Sequence, residues 1–323
     1  MANYLVTGAA GFIGARTSHI LLEQGHTVVG IDNVNDAYDP RMKEYRLKKL
    51  MAVPGFKFHR HDISAKSCIE LFKDEKFEGV INLAARAGVR YSVENPWVFL
   101  ESNVTGTLNM LEVCRQFGCK KFILASTSSI YGENPPYPTP ETASSSEPMQ
   151  PYAASKKGAE ALAHSYHHLY DIDVTVLRFF TVYGPAGRPD LAMFRFVQWI
   201  LEGQPVRING DGNQSRGFTY IDDISRGIIA ALKPVGYEII NLGGHEVISI
   251  NQLVEIVEDL TGKKAIVQHG PPNLADMLNN QADVSKARTM LGWEPQVNLR
   301  QGLKNLIDWY LAERSWAKEV LTP

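Results

Sequence analysis

Two residues at one spacing carry the first chemical suggestion in this chain: Tyr152 and Lys156, in the run Pro151-Tyr152-Ala153-Ala154-Ser155-Lys156. Pro151 fits the first turn of a helix, where its missing N–H costs nothing. Residues four apart then share a helical face, so a phenol and an ammonium stand together. A phenol with an ordinary pKa of about 10 is a poor base at neutral pH. A neighbouring positive charge lowers that value. Such a pair can take a proton from a hydroxyl and return it while an alcohol and a ketone interconvert. The spacing alone is not specific. Tyr45 and Lys49 repeat it in a Lys/Arg-rich segment that reads as a solvated helix. The surrounding elements have to decide between the two pairs.

Near the start, the apolar run Tyr4-Leu5-Val6-Thr7 ends in Gly8-Ala-Ala-Gly11-Phe12-Ile13-Gly14, and a helical pattern follows. In a strand–turn–helix unit, Gly8 permits the tight turn and Gly11 lets backbone N–H groups approach a pyrophosphate. Gly14 allows helix and strand to pack closely. Residues 27–31 read as the second strand, ending at Asp32, 18 residues past Gly14. A carboxylate there accepts both ribose hydroxyls of an adenosine and repels a 2′-phosphate, so NAD is expected rather than NADP.

Residues 35–50 read as an inserted charged helix after Asp39-Pro40, with Asn33, Asn35 and Lys43 close to the nucleotide edge. The alternating run 56–61 ends at Asp62-Ile63, suited to cover an adenine. A fourth strand at 79–83 closes with Leu83 and the small Ala84-Ala85, against which a cofactor can lie. A long helix is expected over 97–117, carrying Asn103. The fifth strand, 121–125, ends in Ser126-Thr127-Ser128-Ser129. Ligands of open parallel sheets sit beyond the carboxyl ends of the strands, so these hydroxyls line a candidate cleft. A plain Ser/Thr-rich turn has the same composition. The Pro-rich stretch 133–150 forms the rim, and 153–170 is the helix of Tyr152 and Lys156. After a sixth strand at 174–177 the rhythm breaks around one helix at 193–201. Residues 218–223 turn back to the first domain, and 239–243 form another strand. Ser249 caps a helix over 251–260, and Asp283 caps one ending at Gly292.

The 323 residues are 44% hydrophobic and 21% charged, with net charge −2, as in an ordinary soluble globular protein. No positive excess points to nucleic acid or an anionic membrane. The start lacks a basic leader and no apolar run would span a bilayer, so a cytoplasmic location is expected. Cys68, Cys114 and Cys119 are odd in number and form no CxxC, which argues against both a disulfide framework and a zinc site. His59/His61 and His164/His168 lack further ligands at metal-site spacing, so no metal is expected.

Together these pieces resemble the extended short-chain dehydrogenase/reductase family, specifically its nucleotide-sugar epimerases, over nearly the whole chain. The resemblance rests on Gly8-x-x-Gly11-x-x-Gly14, Asp32, the strand end from Ser126 to Gly132, Tyr152-x-x-x-Lys156, and Arg216-Gly-Phe-Thr-Tyr-Ile-Asp-Asp. The runs from Asp32 to Lys43, from Ala87 to Ser92 and from Arg178 to Asp190 look like those of UDP-glucuronate 4-epimerases. UDP-glucose 4-epimerases usually have Asn at the position of Thr181, and the decarboxylating relatives an acid at that of Ser129. Two departures stand out: Gly217 where Asp is common, and Ala275 where Gly is common.

The resemblance implies a doubly wound, Rossmann-like parallel sheet with a smaller, discontinuous C-terminal substrate domain. Residues 1–178 would bind NAD, with 219–245 returning to that domain; residues 179–218 and 246–323 would bind a UDP-sugar. Tyr152 would be the acid/base with Thr127. Lys156 would hold the nicotinamide ribose and depress the Tyr152 pKa, with Ser126 and Phe179 also at the cofactor. Arg90, Thr127, Ser128, Ser129, Thr181, Arg188, Arg216 and Asp276 would meet the sugar nucleotide. The implied reaction is 4-epimerisation of UDP-glucuronate through a 4-keto sugar, by a homodimer paired through the helices at 97–117 and 153–170. The alternatives are a UDP-glucose or UDP-N-acetylglucosamine 4-epimerase, or a catalytically silent nucleotide sensor or scaffold of the same fold.

Overall fold

The computed structural model describes residues 1–272 and 279–322. The first half alternates strand and helix: β1 (Asn3–Thr7), α1 (Phe12–Glu23), β2 (Thr27–Asp32), α2 (Pro40–Met51), β3 (Phe56–Arg60) and β4 (Gly79–Asn82). Two short helices follow, α3 (Val89–Glu94) and α4 (Trp97–Phe99), then α5 (Gly106–Phe117), β5 (Lys121–Thr127), α6 (Pro151–Tyr170) and β6 (Asp173–Phe179). The second half contains β7 (Thr181–Tyr183), α7 (Ala192–Leu201), β8 (Pro205–Asn209), β9 (Ser215–Tyr220), α8 (Ile221–Ala230) and β10 (Tyr237–Leu242). It closes with β11 (Glu246–Ser249), α9 (Ile250–Thr261), β12 (Ile266–Gly270), α10 (Ser285–Leu291) and α11 (Leu299–Ala312).

Seven strands make one parallel sheet in the order β10-β6-β5-β4-β1-β2-β3. Its central strands are apolar on both faces because helices cover both. Successive side chains of a strand point to opposite faces. Ile123 and Ala125 therefore pack into one core with Phe12 and Leu21, while Phe122 and Leu124 enter the other with Met110 and Ala159. The order reverses between β1 and β4, and ligands of such sheets bind at that switch. A smaller sheet, β11-β9-β7, and the pair β12-β8 lie with α7, α9 and α11 in the second half.

Several expectations are corrected. The helical stretch 97–117 is interrupted by a π-helical turn, Leu100–Thr105, and this wider turn carries Asn103. Only part of 218–223 returns to the large sheet. β9 belongs to the small sheet, whereas α8 packs back on α1, with Arg16 Nε 2.7 Å from Asp222 Oδ1. Asp283 accepts from Ser285 N (2.9 Å), but Val284 is the N-cap residue of α10. Helix α2 is not freely solvated: the Tyr45 hydroxyl donates to Glu313 (2.8 Å) and accepts from Trp309 Nε1 (3.0 Å). Among the described residues no helix is long and apolar enough to cross a membrane, and no group of His, Cys, Asp or Glu is arranged for a metal.

Candidate active site

The glycine turn and the end of β4 meet at the switch point. Gly8 has φ +67°, and a Cβ there would stand 2.9 Å from Ala84 Cα. One on Gly11 would stand 2.9 Å from Gly8 O, and one on Gly14 would collide with the same carbonyl. The turn is thus closed tightly enough to admit only glycine, leaving the N-terminus of α1, with Phe12 and Ile13, facing the crevice; no acidic side chain lies in its first turn. A helix start of this kind attracts phosphate.

Asp32, 7% exposed at the end of β2, accepts from Ala10 N (3.1 Å) and Val34 N (2.7 Å). Lys43 Nζ donates to Asn35 Oδ1 (2.7 Å) and lies 3.9 Å from Asp32 Oδ1. Burial lowers the Lys43 pKa, with Asp32 acting in the opposite direction. Asn33 Nδ2 donates to Asp62 (2.6 Å), which ties the ends of β2 and β3 together, and Ile63 is buried against Gly106. The buried carboxylate, the glycine cradle and this flanking wall fit an adenosine diphosphate such as that of NAD.

Beyond β4, Leu83 and Ala84 are half-buried and Ala85 is exposed. Ala84 N donates to Thr7 Oγ1 (2.9 Å), which in turn donates to Asn82 (2.7 Å). Asn103 is 1% exposed and fully engaged: Nδ2 donates to Arg86 O (3.0 Å) and Ser155 Oγ (2.9 Å), and Oδ1 accepts from Arg86 N (2.9 Å). It clamps the loop after β4 to α6, and so positions the cleft wall through other residues.

β5 delivers the hydroxyls. Thr127 is the last residue of that strand, with Phe179 opposite it at the end of β6. Thr127 Oγ1 donates to Ser129 Oγ and accepts from Ser129 N, both at 3.2 Å. Ser128 is buried and accepts from Asn280 (3.2 Å). Ser126 points away from this row and donates to Glu160 (2.6 Å) on α6.

The helix opens at Pro151, as expected, and Thr127 is one of the groups that act on the Tyr152 phenol. Its ring packs edge-on against Phe99 at 6.0 Å. Lys156, 4% exposed, donates to Ala125 O at 2.8 Å. Here the structure corrects the sequence expectation that Lys156 depresses the Tyr152 pKa. Burial raises the phenol above its ordinary value, and what pulls it down is Thr127 and the Arg188 charge. Burial likewise brings Lys156 down to about 8, against the attraction of Glu160.

Arg188 forms a two-pronged pair with Asp190, Nε to Oδ1 at 3.1 Å and Nη2 to Oδ2 at 2.5 Å. Burial opposes its charge, but Asp190 holds its pKa above the ordinary value. Thr181 starts β7 of the small sheet, two residues past Phe179 at the end of β6. Arg90 lies exposed on α3, and Arg216 on β9 donates to Ser215 O (2.8 Å). Asp276 lies outside the described residues.

The sequence reading missed the buried group behind the hydroxyls. Glu160 takes Arg178 in a two-pronged pair (3.0 and 2.8 Å), and Arg178 lies over the Tyr131 ring at 4.9 Å. The signal was visible: Lys156 and Glu160 share the inner face of α6 with Ala153, Ala159 and Ala163.

A family described as "NAD dependent epimerase/dehydratase family" matches residues 4–243. A UDP-glucuronate 4-epimerase of Thermodesulfobacterium geofontis is 54% identical over 312 residues, 96% of each chain. A crystal structure of UDP-glucuronic acid 4-epimerase from Bacillus cereus, in complex with UDP-glucuronic acid and NAD, superposes with a TM-score of 0.88 at 37% identity. It covers 96% of this chain and 99% of that one. A UDP-glucose 4-epimerase of Thermotoga maritima with UDP-glucose gives a TM-score of 0.90 at 33% identity, over 97% of this chain and 99% of that one.

Proposed function

The chain belongs to the NAD dependent epimerase/dehydratase family, and we propose that it interconverts UDP-glucuronate and UDP-galacturonate by inversion at C4. The observation that carries this reading is the hydroxyl row at the end of β5, where Thr127 and Ser129 are hydrogen-bonded to each other beside buried Ser128, in a chain 54% identical to a UDP-glucuronate 4-epimerase. Such short hydroxyl donors, with Arg188 on the loop after β7, suit a sugar that brings its own carboxylate. Residue by residue, the cradle built on Gly8, Gly11, Gly14, Asp32 and Lys43 would hold NAD, which supplies hydride chemistry at C4. Tyr152 takes the O4 proton while Thr127 shares the hydrogen bond, and returns it once the 4-keto sugar has presented its other face. Lys156 ties α6 to β5 through Ala125 O and would hold the ribose beside the reacting carbon.

A 4-keto uronate is a β-keto acid and loses carbon dioxide readily. Ser128, Ser129, Thr181 and Arg188 would fix its carboxylate, keeping the C–C bond out of line with the ketone. No acidic side chain takes the place of Ser129 to promote the loss. The second half of the chain, 179–218 and 246–323, would hold the uridine diphosphate. We further infer a homodimer. Trp97 is 70% exposed and Leu169 64% exposed, on the two helical segments expected to pair. The buried thiols of Cys68, Cys114 and Cys119 suit the reducing cytoplasm.

The test is incubation with NAD and, separately, UDP-glucuronate, UDP-glucose and UDP-N-acetylglucosamine, with the products separated by chromatography. UDP-galacturonate from the first and little turnover of the others is expected. UDP-glucose as the better substrate would refute the uronate assignment.

A further inference from the structure

Arg46 lies on the inner face of α2 with Met42, Lys43, Leu47 and Leu50, and is only 5% exposed. A guanidinium so deeply placed must satisfy its donors within the protein. It does so across three segments. Nη1 donates to Ala10 O (3.3 Å) in the glycine turn and to the Tyr38 hydroxyl (2.8 Å). Nε donates to Ala186 O (2.9 Å) and Nη2 to Gly187 O (3.0 Å). The guanidinium carbon is 5.8 Å from the centre of the Phe12 ring and 5.5 Å from that of Tyr38.

The two gripped carbonyls immediately precede Arg188. Ala186 has φ +52°, a left-handed conformation that a non-glycine residue adopts at a cost and keeps only when its surroundings impose it. The fork of Arg46 holds both carbonyls of this turn. A lysine, with a single point charge, could not grip two successive carbonyls and the glycine turn together.

We propose that Arg46 is a positioning residue that ties the Ala186–Gly187 turn to the glycine turn of the nucleotide cradle, and so fixes Arg188 beside Tyr152. One side chain thereby joins the cofactor half of the cleft to the arm that meets the sugar. The proposal deepens the reading above and rests on it only for the identity of the sugar. Thr127, Tyr152 and Lys156 stand on β5 and α6, which Arg46 does not touch. Loosening the arm therefore weakens sugar binding more than it slows the proton transfer.

The experiment compares the holoenzyme with Arg46→Lys and Arg46→Met, all with NAD in excess. Hydrogen exchange is followed over residues 184–191 and over α6, alongside steady-state kinetics with UDP-glucuronate. In Arg46→Met the amides of 184–191 should exchange ~10-fold faster or more while those of α6 stay protected. KM should rise ~10-fold with kcat within ~3-fold of wild type, the signature of lost binding rather than lost chemistry. Arg46→Lys should fall between, and decides the matter alone if the Met variant does not fold. Unchanged exchange over 184–191, or a fall in kcat at constant KM, would overturn the proposal. Should wild type not turn over UDP-glucuronate, the functional reading fails and the exchange arm by itself judges the strut.

Discussion

Replacing Lys156 by Met asks whether the site keeps its ammonium at a cost to the fold. The side chain is 4% exposed and makes one hydrogen bond, to Ala125 O at 2.8 Å. Burial takes its pKa from 10.5 to about 8, Glu160 acting against that fall. At 1.36 kcal/mol per pKa unit, the difference corresponds to ~3 kcal/mol held against the cation in the folded state. Met has a similar length and no charge, so it relieves this term but loses a charge-assisted bond worth ~1.5–3 kcal/mol. Near neutral pH the two nearly cancel, and the variant should match wild-type stability to within ~1–2 kcal/mol. The pH dependence is the sharper test. A lysine whose folded pKa lies below its unfolded value favours the neutral amine in the native state. Its contribution to stability is absent below about 8, grows between about 8 and 10.5, and is complete above that. Wild type should therefore gain up to ~3 kcal/mol on the Met variant between about pH 8 and pH 10.5, read from urea unfolding of nucleotide-free protein. Turnover of the holoenzyme variant should drop ~10²-fold or more, since Lys156 is proposed to hold the ribose beside the reacting carbon and a misplaced cofactor costs that much. A stability gap that does not move with pH would refute the reasoning.

Tyr152→Phe should leave nucleotide and sugar binding nearly intact and cut turnover by ~10²–10⁴-fold, whereas Tyr45→Phe should cost only ~1 kcal/mol in denaturant unfolding and no activity. Near-normal turnover of the first variant would remove Tyr152 from the chemistry. Asp32→Ala should weaken NAD in a binding titration and narrow the preference over NADP, because the repulsion of a 2′-phosphate is lost. Unchanged NAD affinity would show that the carboxylate does not touch the ribose. Glu160→Gln leaves the buried Arg178 guanidinium without its charge partner and should destabilise the chain by ~3 kcal/mol in a chemical melt. A shift below ~0.5 kcal/mol would mean that Tyr131 and the neighbouring carbonyls suffice to hold Arg178.

What could be read from the sequence was local. The glycine turn, Asp32, the strand ends and the Tyr152/Lys156 spacing each follow from a period or a turn rule within about twenty residues, and parallel-sheet logic assembles them at one edge. What could not be read was contact across the chain. Arg46 is one of several basic residues in α2, and nothing near it announces carbonyls 140 positions away. Its place on the stripe of Met42, Leu47 and Leu50 was the available hint. Asn103 reads as a polar helix residue but is buried by a π-helical turn, which no simple periodicity encodes. Helix α11 could have been found, since Asn298 caps Gln301 N (2.9 Å) and Leu299, Leu303, Leu306, Ile307 and Tyr310 repeat at helical spacing. β12 could not: every residue in it is exposed, so no alternation marks it.

The pair that opened the sequence reading behaves differently once packed. Spacing places the ammonium of Lys156 on the face of the phenol, and on a solvated helix its charge would lower the phenol's pKa. Burial changes the sign of the local problem, because each group is pushed toward its neutral form: Tyr152 upward, Lys156 downward. Lys156 is engaged with the Ala125 carbonyl, and the charge acting on the phenol comes from Arg188. That arginine is itself paired with Asp190 through two hydrogen bonds. Burial therefore outweighs these contributions, and the phenol's pKa lies above its ordinary value. Spacing alone therefore misassigns the charge that bears on the phenol, which comes from the loop after β7 and not from the helix of Tyr152.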